Sequence, residues 1–178
     1  MRLDIFNQKM ILMEGSIVEQ LRRSKEIILH DTLVNAPLIY DTVARETMSA
    51  LYGQYIDLGL SAYLPVMICT PTWRTNQDRV ALSKTSPKIN EEAAAFLIEL
   101  RESKAHPEQI CIGGMIGCKN DCYLPDEGLA TDEAEQFHSW QIERLLDGGV
   151  DYLIAETLPN VNEALGIAKQ WIKQKHLT

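Results

Sequence analysis

The stretch LLDGGVDYLIAETLPNVNEA, residues 145–164, contains in order a helix end, a strand and the start of another helix. The pair Gly148–Gly149 closes the preceding helical pattern, because glycine favours helix C-termini. Residues 150–157 form a short apolar run, typical of a strand buried on both faces of a parallel sheet. Asn160 followed by Glu163 resembles a capping box. The stretch therefore predicts one α–β–α passage of an α/β fold.

The same alternation covers the whole chain. Short apolar runs predict strands at 9–13, 61–70, 108–116 and 150–157, and helical patterns lie at 17–23, 37–58, 91–103, 132–149 and 163–175. Asn90 and Thr131 are the expected N-caps of two of these helices. The order predicts parallel (β/α) units. Two architectures fit: an open doubly wound sheet, or half of a TIM (β/α)₈ barrel, since a whole barrel needs ~250 residues.

Composition limits the classes of partner. The 178 residues carry a net charge of −8, which argues against nucleic acid, because phosphate binding requires a basic surface. We find no signal peptide and no apolar run near the ~20 residues of a membrane span. We therefore expect one cytoplasmic domain over residues 1–178, with reduced cysteines and no membrane partner.

Polar residues follow the predicted strands. Glu14, Gly15 and Ser16 follow the first, and Glu156 follows the fourth. In both architectures, binding sites lie beyond the carboxyl ends of parallel strands. Either carboxylate alone is an ordinary helix-start acid, but two at equivalent places indicate a shared site. Neighbouring glycines would let a ligand approach the backbone.

The cysteines give no metal signature of their own. The stretch QICIGGMIGCKNDCY, residues 109–123, holds Cys111, Cys118 and Cys122, yet it lacks paired zinc ligands, a Cys-x-x-Cys motif and a phosphate-loop pattern. It predicts a strand that opens into a glycine-lined loop. His138 lies on an apolar helix face and is expected to be a packing residue.

Four segments in this order resemble the homocysteine S-methyltransferase family. ILMEGSIVEQLRRS is similar to the family's LDGGMGTELQRRG, and YIDLGLSAYLPVMICTPTWRTN to YLEAGADIITTNTYQA. ICIGGMIGCKND is similar to VAGSVGPYGA, and LLDGGVDYLIAETLPNVNEA to LLEAGVDLLAFETIPNLLEA. The resemblance covers nearly the whole chain.

This resemblance implies a (β/α)₈ barrel that transfers a methyl group to the thiol of homocysteine, giving methionine, with zinc holding the thiolate. It also implies substrate-binding roles. Glu14 and Glu156 match carboxylates that receive the substrate ammonium group, and Thr72 matches a strand-end threonine. The backbone amides around Gly15 and Ser16 would face the substrate carboxylate.

The chain also departs from the family pattern. Glu14 replaces an aspartate, Ser16 a glycine and Trp73 a tyrosine. None of the four cysteines matches a zinc ligand, because the family's ligands follow the sixth and eighth strands, and this chain stops after about the fourth unit. We therefore expect the amino-acid-recognition half of a methyltransferase without its zinc ligands. We also expect it to form a homo-oligomer or to pair with a complementing half-barrel.

Two other functions fit the residues. One is a barrel hydrolase that uses Glu14 and Glu156 as an acid/base pair, for which carboxyl separations of ~5–5.5 Å or ~6.5–9.5 Å would be diagnostic. The other is a half-barrel that binds or assembles without catalysis. The methyl donor is not indicated by any residue.

Overall fold

The computed structural model describes residues 7–175 and contains four strands and six α-helices in that part of the chain. The strands are β1 (Leu12–Met13), β2 (Val66–Cys69), β3 (Ile110–Ile116) and β4 (Tyr152–Ala155). The helices are α1 (Ile17–Arg23), α2 (Thr42–Ser61), α3 (Gln77–Ser83), α4 (Ile89–Glu102), α5 (Thr131–Asp147) and α6 (Val161–Lys175). Short 3₁₀ turns occupy Ala36–Tyr40, Pro107–Gln109 and Pro125–Glu127.

All four strands are parallel and lie in chain order, β1-β2-β3-β4. The register joins Met13 to Met67, Cys69 to Gly113, and Ile116 to Ala155. A doubly wound sheet reverses its strand order at a switch point, whereas consecutive barrel strands do not. The α/β fold built from parallel barrel-type units is thus confirmed.

Different residues pack against the two faces of the sheet. Val66, Ile68 and Ile110 pack with residues of α2 and α4 in one large buried cluster. The alternating residues point the other way, into a cluster made only of strand residues, which we call the inner face: Met13, Met67, Cys69, Cys111, Met115, Tyr152 and Ile154. Helices therefore cover one face of the sheet among the described residues, as in a barrel wall.

The helix predicted at residues 37–58 is wrong in its bounds. Residues 36–40 form a 3₁₀ turn, and α2 begins at Thr42, where the Asp41 carboxylate accepts the Ala44 N–H at 2.8 Å. An aspartate that caps a helix ends the preceding turn, so the chain bends at this residue. The strand predicted at 61–70 is also wrong in its bounds. β2 comprises only Val66–Cys69, because α2 continues to Ser61.

Two predicted caps are also wrong, and one helix was missed. Helix α4 begins at Ile89, and Asn90 is buried within it, where its amide bonds Thr75 instead of the helix end. Helix α5 begins at Thr131 itself, after Ala130. The short α3, capped by Asn76, lies between two predicted elements where no periodic pattern is long enough to be recognised.

Helix α6 begins at Val161, two residues before the predicted helical pattern, and the predicted capping box forms only in part, because the Glu163 carboxylate binds elsewhere. Asn160 Oδ1 accepts the Glu163 N–H at 3.0 Å, the predicted N-terminal bond. The fully buried Glu163 carboxylate accepts the N–H groups of Lys119 and Leu129 and meets His138 Nε2 at 3.0 Å. His138 is thus a buried, hydrogen-bonded packing residue, as predicted. Together these bonds fix both ends of the loop between β3 and α5.

No helix within residues 7–175 is long and apolar enough to cross a membrane. Residues 1–6, part of the segment in which we expect no signal peptide, lie outside the described residues.

Asp151 ties β4 to its neighbours through a nearly buried carboxylate. Its Oδ2 accepts the Ile112 N–H at 2.8 Å and the Arg101 guanidinium at 2.9 Å. We expect Asp151→Ala to lower the free energy of unfolding by about 2–4 kcal/mol, because a backbone donor and a buried cation lose their acceptor. Urea denaturation followed by circular dichroism measures this change.

The matched control is Asp57→Ala, which removes an exposed carboxylate paired with Lys104 and should cost less than about 1 kcal/mol. Equal effects of the two substitutions would show that the Asp151 interaction does not anchor the strand.

Candidate functional site

The carboxyl ends of the strands border a cavity of about 910 Å³. This volume lies at the upper end of the ~300–1,000 Å³ that small-molecule sites usually occupy. Segments following all four strands line it, including Glu14, Gly15, Ser16, Thr70, Trp73, Arg74, Arg79, Lys119, Asn120, Cys122, Tyr123, Glu127, Glu156 and Thr157. The carboxyl ends of all four strands therefore border one cavity.

Glu14 lies where β1 stops pairing through its backbone. Its Oε1 accepts the Cys69 N–H at 2.7 Å, while Oε2 is buried without a hydrogen-bond partner in the described chain. Burial raises the pKa of Glu14 to about 7, the Cys69 N–H opposes this rise, and the nearby Glu156 charge adds to it. Glu14 is therefore a carboxyl group that titrates near neutral pH and retains one free acceptor.

Glu156 lines the same cavity from the end of β4. Its backbone N–H donates to Ile116 O at 3.0 Å, which fixes the residue to the sheet. Its carboxylate has no hydrogen bond or ion pair within the described chain, and its charge acts on Glu14. The two strand-end carboxylates predicted from the sequence thus meet at one cavity.

Gly15 and Ser16 also border the cavity and are exposed to solvent. Ser16 is the N-cap of α1, and its hydroxyl accepts the Glu19 N–H at 3.4 Å. A Cβ at Gly15 would lie 2.7 Å from the Tyr55 hydroxyl, so a side chain there would displace Tyr55. Glycine at this position keeps the turn after β1 in place.

Thr72 is not among the residues that line the cavity. It is fully buried, and its hydroxyl donates to Met115 O at 2.7 Å and meets the Thr70 hydroxyl at 2.6 Å. Gln141 Nε2 donates to Thr72 O at 2.8 Å, and Asn90 joins the same network through Thr75. This position holds the loop after β2 against β3 and α5.

Atoms of other residues fill the space beside Gly113, within β3, and Gly117, after it. A Cβ at Gly113 would lie 2.4 Å from the Tyr152 ring, and one at Gly117 would lie 2.3 Å from Trp73 O. These glycines admit aromatic residues of the chain itself. The hypothesis that they let a ligand approach the backbone is not needed to explain them.

Trp73 forms a fixed wall between the ends of β2 and β4. Its indole N–H donates to Thr157 Oγ1 at 2.7 Å, and the Arg74 guanidinium lies 4.0 Å from its ring centroid. Thr157 has φ +54°, a conformation that is costly for a β-branched residue. The hydrogen bond to Trp73 helps to hold Thr157 in this conformation.

Sequence reasoning missed the cations of the cavity. Arg22, Arg74, Arg79 and Lys119 all line it, and none was singled out as a candidate site residue, although Arg22, Arg74 and Lys119 lie within segments that resemble the family. The only signal was position, since Arg74 directly follows the strand-end segment TPTW. Charged residues in loops are usually solvated, so position alone did not distinguish them.

The residues present do not fit a zinc ion. Within residues 7–175 no group of three or more His, Cys, Asp or Glu side chains could hold a metal. Cys69 and Cys111 are buried on the inner face, and the Cys118 thiol donates to the Asn120 carbonyl at 3.1 Å. Burial also raises the pKa of Cys118, which disfavours the thiolate that zinc requires.

The comparisons with known proteins agree with the fold. Two solved structures of the homocysteine methyltransferase MmuM from Escherichia coli are similar to this chain. The metallated form has a TM-score of 0.79 at 18% identity and covers 97% of this chain. The oxidized form has a TM-score of 0.80 at 19% identity and covers 98%.

At these identities the likeness establishes the fold alone. The chain spans 62% and 63% of the length of those two structures. Among curated proteins, none matches the chain. The family model for homocysteine S-methyltransferase, however, matches residues 11–177, almost the entire chain. The chain therefore belongs to the homocysteine S-methyltransferase family.

Proposed function

We propose that this chain supplies the homocysteine-binding side of a methyltransferase that methylates the homocysteine thiol to give methionine. The observation that carries the proposal is the meeting of Glu14 and Glu156 at one cavity, each with unsatisfied acceptor capacity. A substrate ammonium group provides the missing donors and neutralises charge, so it fits this pair. Family membership supports an amino-acid substrate with a thiol.

Each carboxylate has a separate task in this proposal. Glu156, which has no bond to the described chain, receives the ammonium group directly. Glu14 is fixed through the Cys69 N–H and offers its second oxygen. The ammonium charge lowers the pKa of Glu14, so binding near neutral pH releases a proton. Gly15 and Ser16 lie beside the pair, where their backbone N–H groups are the donors proposed for the substrate carboxylate.

The wall of the cavity orients the bound amino acid. Trp73 closes one side through Thr157 and Arg74, and Thr72 supports the loop from beneath. We assign Thr72 a positioning role that fixes the loop after β2, so its contribution to substrate binding is indirect. A rigid wall favours binding because little side-chain entropy is lost when the ligand enters.

In this proposal, groups outside residues 7–175 activate the thiol. The described cysteines do not converge on a metal site, so no step of the reaction is derived through zinc. In this proposal, the zinc ligands and the residues that select the methyl donor come from another segment or another chain. The hydrolase alternative remains a prediction that no observation favours.

A complementing chain would also cover the open parts of the sheet. β1 pairs only with β2, and β4 only with β3, so both outer edges lack strand partners among the described residues. The inner-face residues Met67, Met115 and Ile154 remain partly exposed. Unpaired edges beside an apolar face favour association. We propose a homo-oligomer or a complementing half-barrel as the working form.

The first test concerns Glu156. Glu156→Gln should weaken homocysteine binding by about 1.5–3 kcal/mol, because a charge-assisted hydrogen bond becomes a neutral one. Calorimetric titration of the full chain with L-homocysteine measures the change. Glu127→Gln removes the same charge from the same cavity, away from the strand ends, and should leave the affinity nearly unchanged. Equal affinities for wild type and Glu156→Gln would contradict the assignment of Glu156.

The second test concerns the pH dependence of stability. The folded pKa of Glu14, about 7, exceeds its ordinary value of 4.5, so the folded state binds this proton more tightly than the unfolded state. The stability that Glu14 contributes is full below about pH 4.5 and falls as the pH rises to about 7. Glu14→Gln should remove this fall and stabilise the protein at pH 8.

Urea denaturation at about four pH values between pH 5 and 8 measures the free energy of unfolding. Glu46→Gln, an exposed site on α2, is the matched control and should retain the wild-type pH dependence. If Glu14→Gln retains it as well, the Glu14 carboxyl group is not the titrating group.

The third test concerns assembly. Light scattering at micromolar concentration should give a mass above the 20.1 kDa of one chain. Ile154→Lys places a charge on the inner face and should lower the mass, whereas Leu58→Lys on the exposed side of α2 should not. A stable wild-type monomer would show that the edges are covered in another way.

A further inference from the structure

Two arginine side chains line the cavity from the segment after β2. Arg74 belongs to the loop and Arg79 to α3, and both are partly buried. The Arg74 guanidinium is fixed, because its Nη1 donates to Asn120 O at 3.0 Å and its plane lies over the Trp73 ring. It therefore presents its remaining donors from a defined position.

Arg79 has no anionic partner within the described chain. Its backbone N–H is bound by Asn76 Oδ1 at 3.0 Å, but its guanidinium forms no ion pair or hydrogen bond there. Burial lowers its pKa, and the neighbouring Arg74 charge lowers it further. Two like charges that line one cavity repel each other, and an anion bound near both relieves this repulsion.

Carboxylates of the cavity do not neutralise this pair. Glu14 is held by Cys69, and neither Glu127 nor Asp121 forms an ion pair with Arg74 or Arg79 among residues 7–175. Two further cations line the cavity: Lys119, whose ammonium lies 4.9 Å from the Phe137 ring centroid, and Arg22, which pairs with Glu19. The cavity thus has a pair of carboxylates at β1 and β4 and a separate pair of guanidinium groups after β2.

We propose that Arg74 and Arg79 form a binding subsite for the carboxylate or phosphate group of a second ligand, distinct from the homocysteine position. A guanidinium group offers parallel N–H donors that match either anion. The cavity volume of about 910 Å³ leaves room for a second molecule beside an amino acid. This inference goes beyond the proposed function and does not depend on it.

The test observes the Trp73 indole N–H by ¹⁵N NMR, because this group lies beneath Arg74 and donates to Thr157. Inorganic phosphate and sodium acetate are titrated separately at constant ionic strength, and Trp73→Phe assigns the signal. A saturable shift is expected in the wild type. Arg79→Gln should weaken the affinity about tenfold or more, because a charge-assisted bidentate contact is lost.

The matched control is Arg144→Gln, which removes the same charge from a surface arginine paired with Glu91 and should not change the titration. Tighter binding of phosphate identifies a phosphate-bearing ligand, and tighter binding of acetate a carboxylate-bearing one. Absence of saturation, or equal affinities in wild type and Arg79→Gln, overturns the subsite.

Homocysteine titration separates this inference from the proposed function. Arg79→Gln should bind homocysteine with wild-type affinity while losing the anion response. Weaker homocysteine binding in this variant would assign the pair to the substrate's own carboxylate and overturn the second-ligand subsite. Absence of homocysteine binding in the wild type, with the anion response intact, would contradict only the proposed function.

Discussion

The hydrogen bond from the Cys69 N–H to the Glu14 carboxylate joins the fold to the candidate site. β1 pairs through only two residues, Leu12 and Met13, and the Glu14 N–H then reaches Met67 O at 3.3 Å. Beyond that point the Glu14 side chain satisfies the next donor of β2. A carboxylate that serves as a strand acceptor must be held against the sheet and partly removed from water. Its raised pKa follows directly from that position.

Buried polar networks support the loops around this carboxylate. Glu163 holds the β3–α5 loop through two backbone N–H groups and His138, while Gln141 and Asn90 hold the segment after β2. Such networks fix geometry because each buried group can be satisfied in only one arrangement. Gln141 Oε1 and His138 Nδ1 lack partners in the described chain, so both networks retain some unsatisfied capacity.

Sequence reasoning recovered the parts of the structure that follow from short-range patterns. Buried parallel strands are continuous apolar runs, so β3 and β4 were predictable within a few residues. The carboxylates at Glu14 and Glu156 followed because parallel strands place their ends at one edge. The start of α2 after Asp41 was not predicted, because a capping aspartate within a long helical pattern cannot be distinguished from an ordinary polar residue.

Long-range contacts could not be predicted from local patterns. Asparagine is a common N-cap residue, which is why Asn90 was predicted to cap α4. In the structure its buried amide instead forms two hydrogen bonds with Thr75. Thr72 has a hydroxyl suited to a ligand, but the side chain is fully buried and the hydroxyl donates to Met115 O at 2.7 Å, so it is used inside the fold. That Arg74 and Arg79 line the same cavity likewise appears only in the folded chain.

The uncompensated charges of the cavity connect stability with ligand binding. Glu14 keeps a buried oxygen without a donor, and Arg79 keeps a guanidinium without an acceptor in the described chain. The buried Glu14 oxygen costs stability in the unliganded protein, and a ligand that supplies a donor to it removes this cost. Because such a ligand binds only the folded state, it must raise the free energy of unfolding as its concentration rises. A position that weakens the isolated fold, such as Glu14, is therefore one at which a ligand with the missing donor would gain binding free energy.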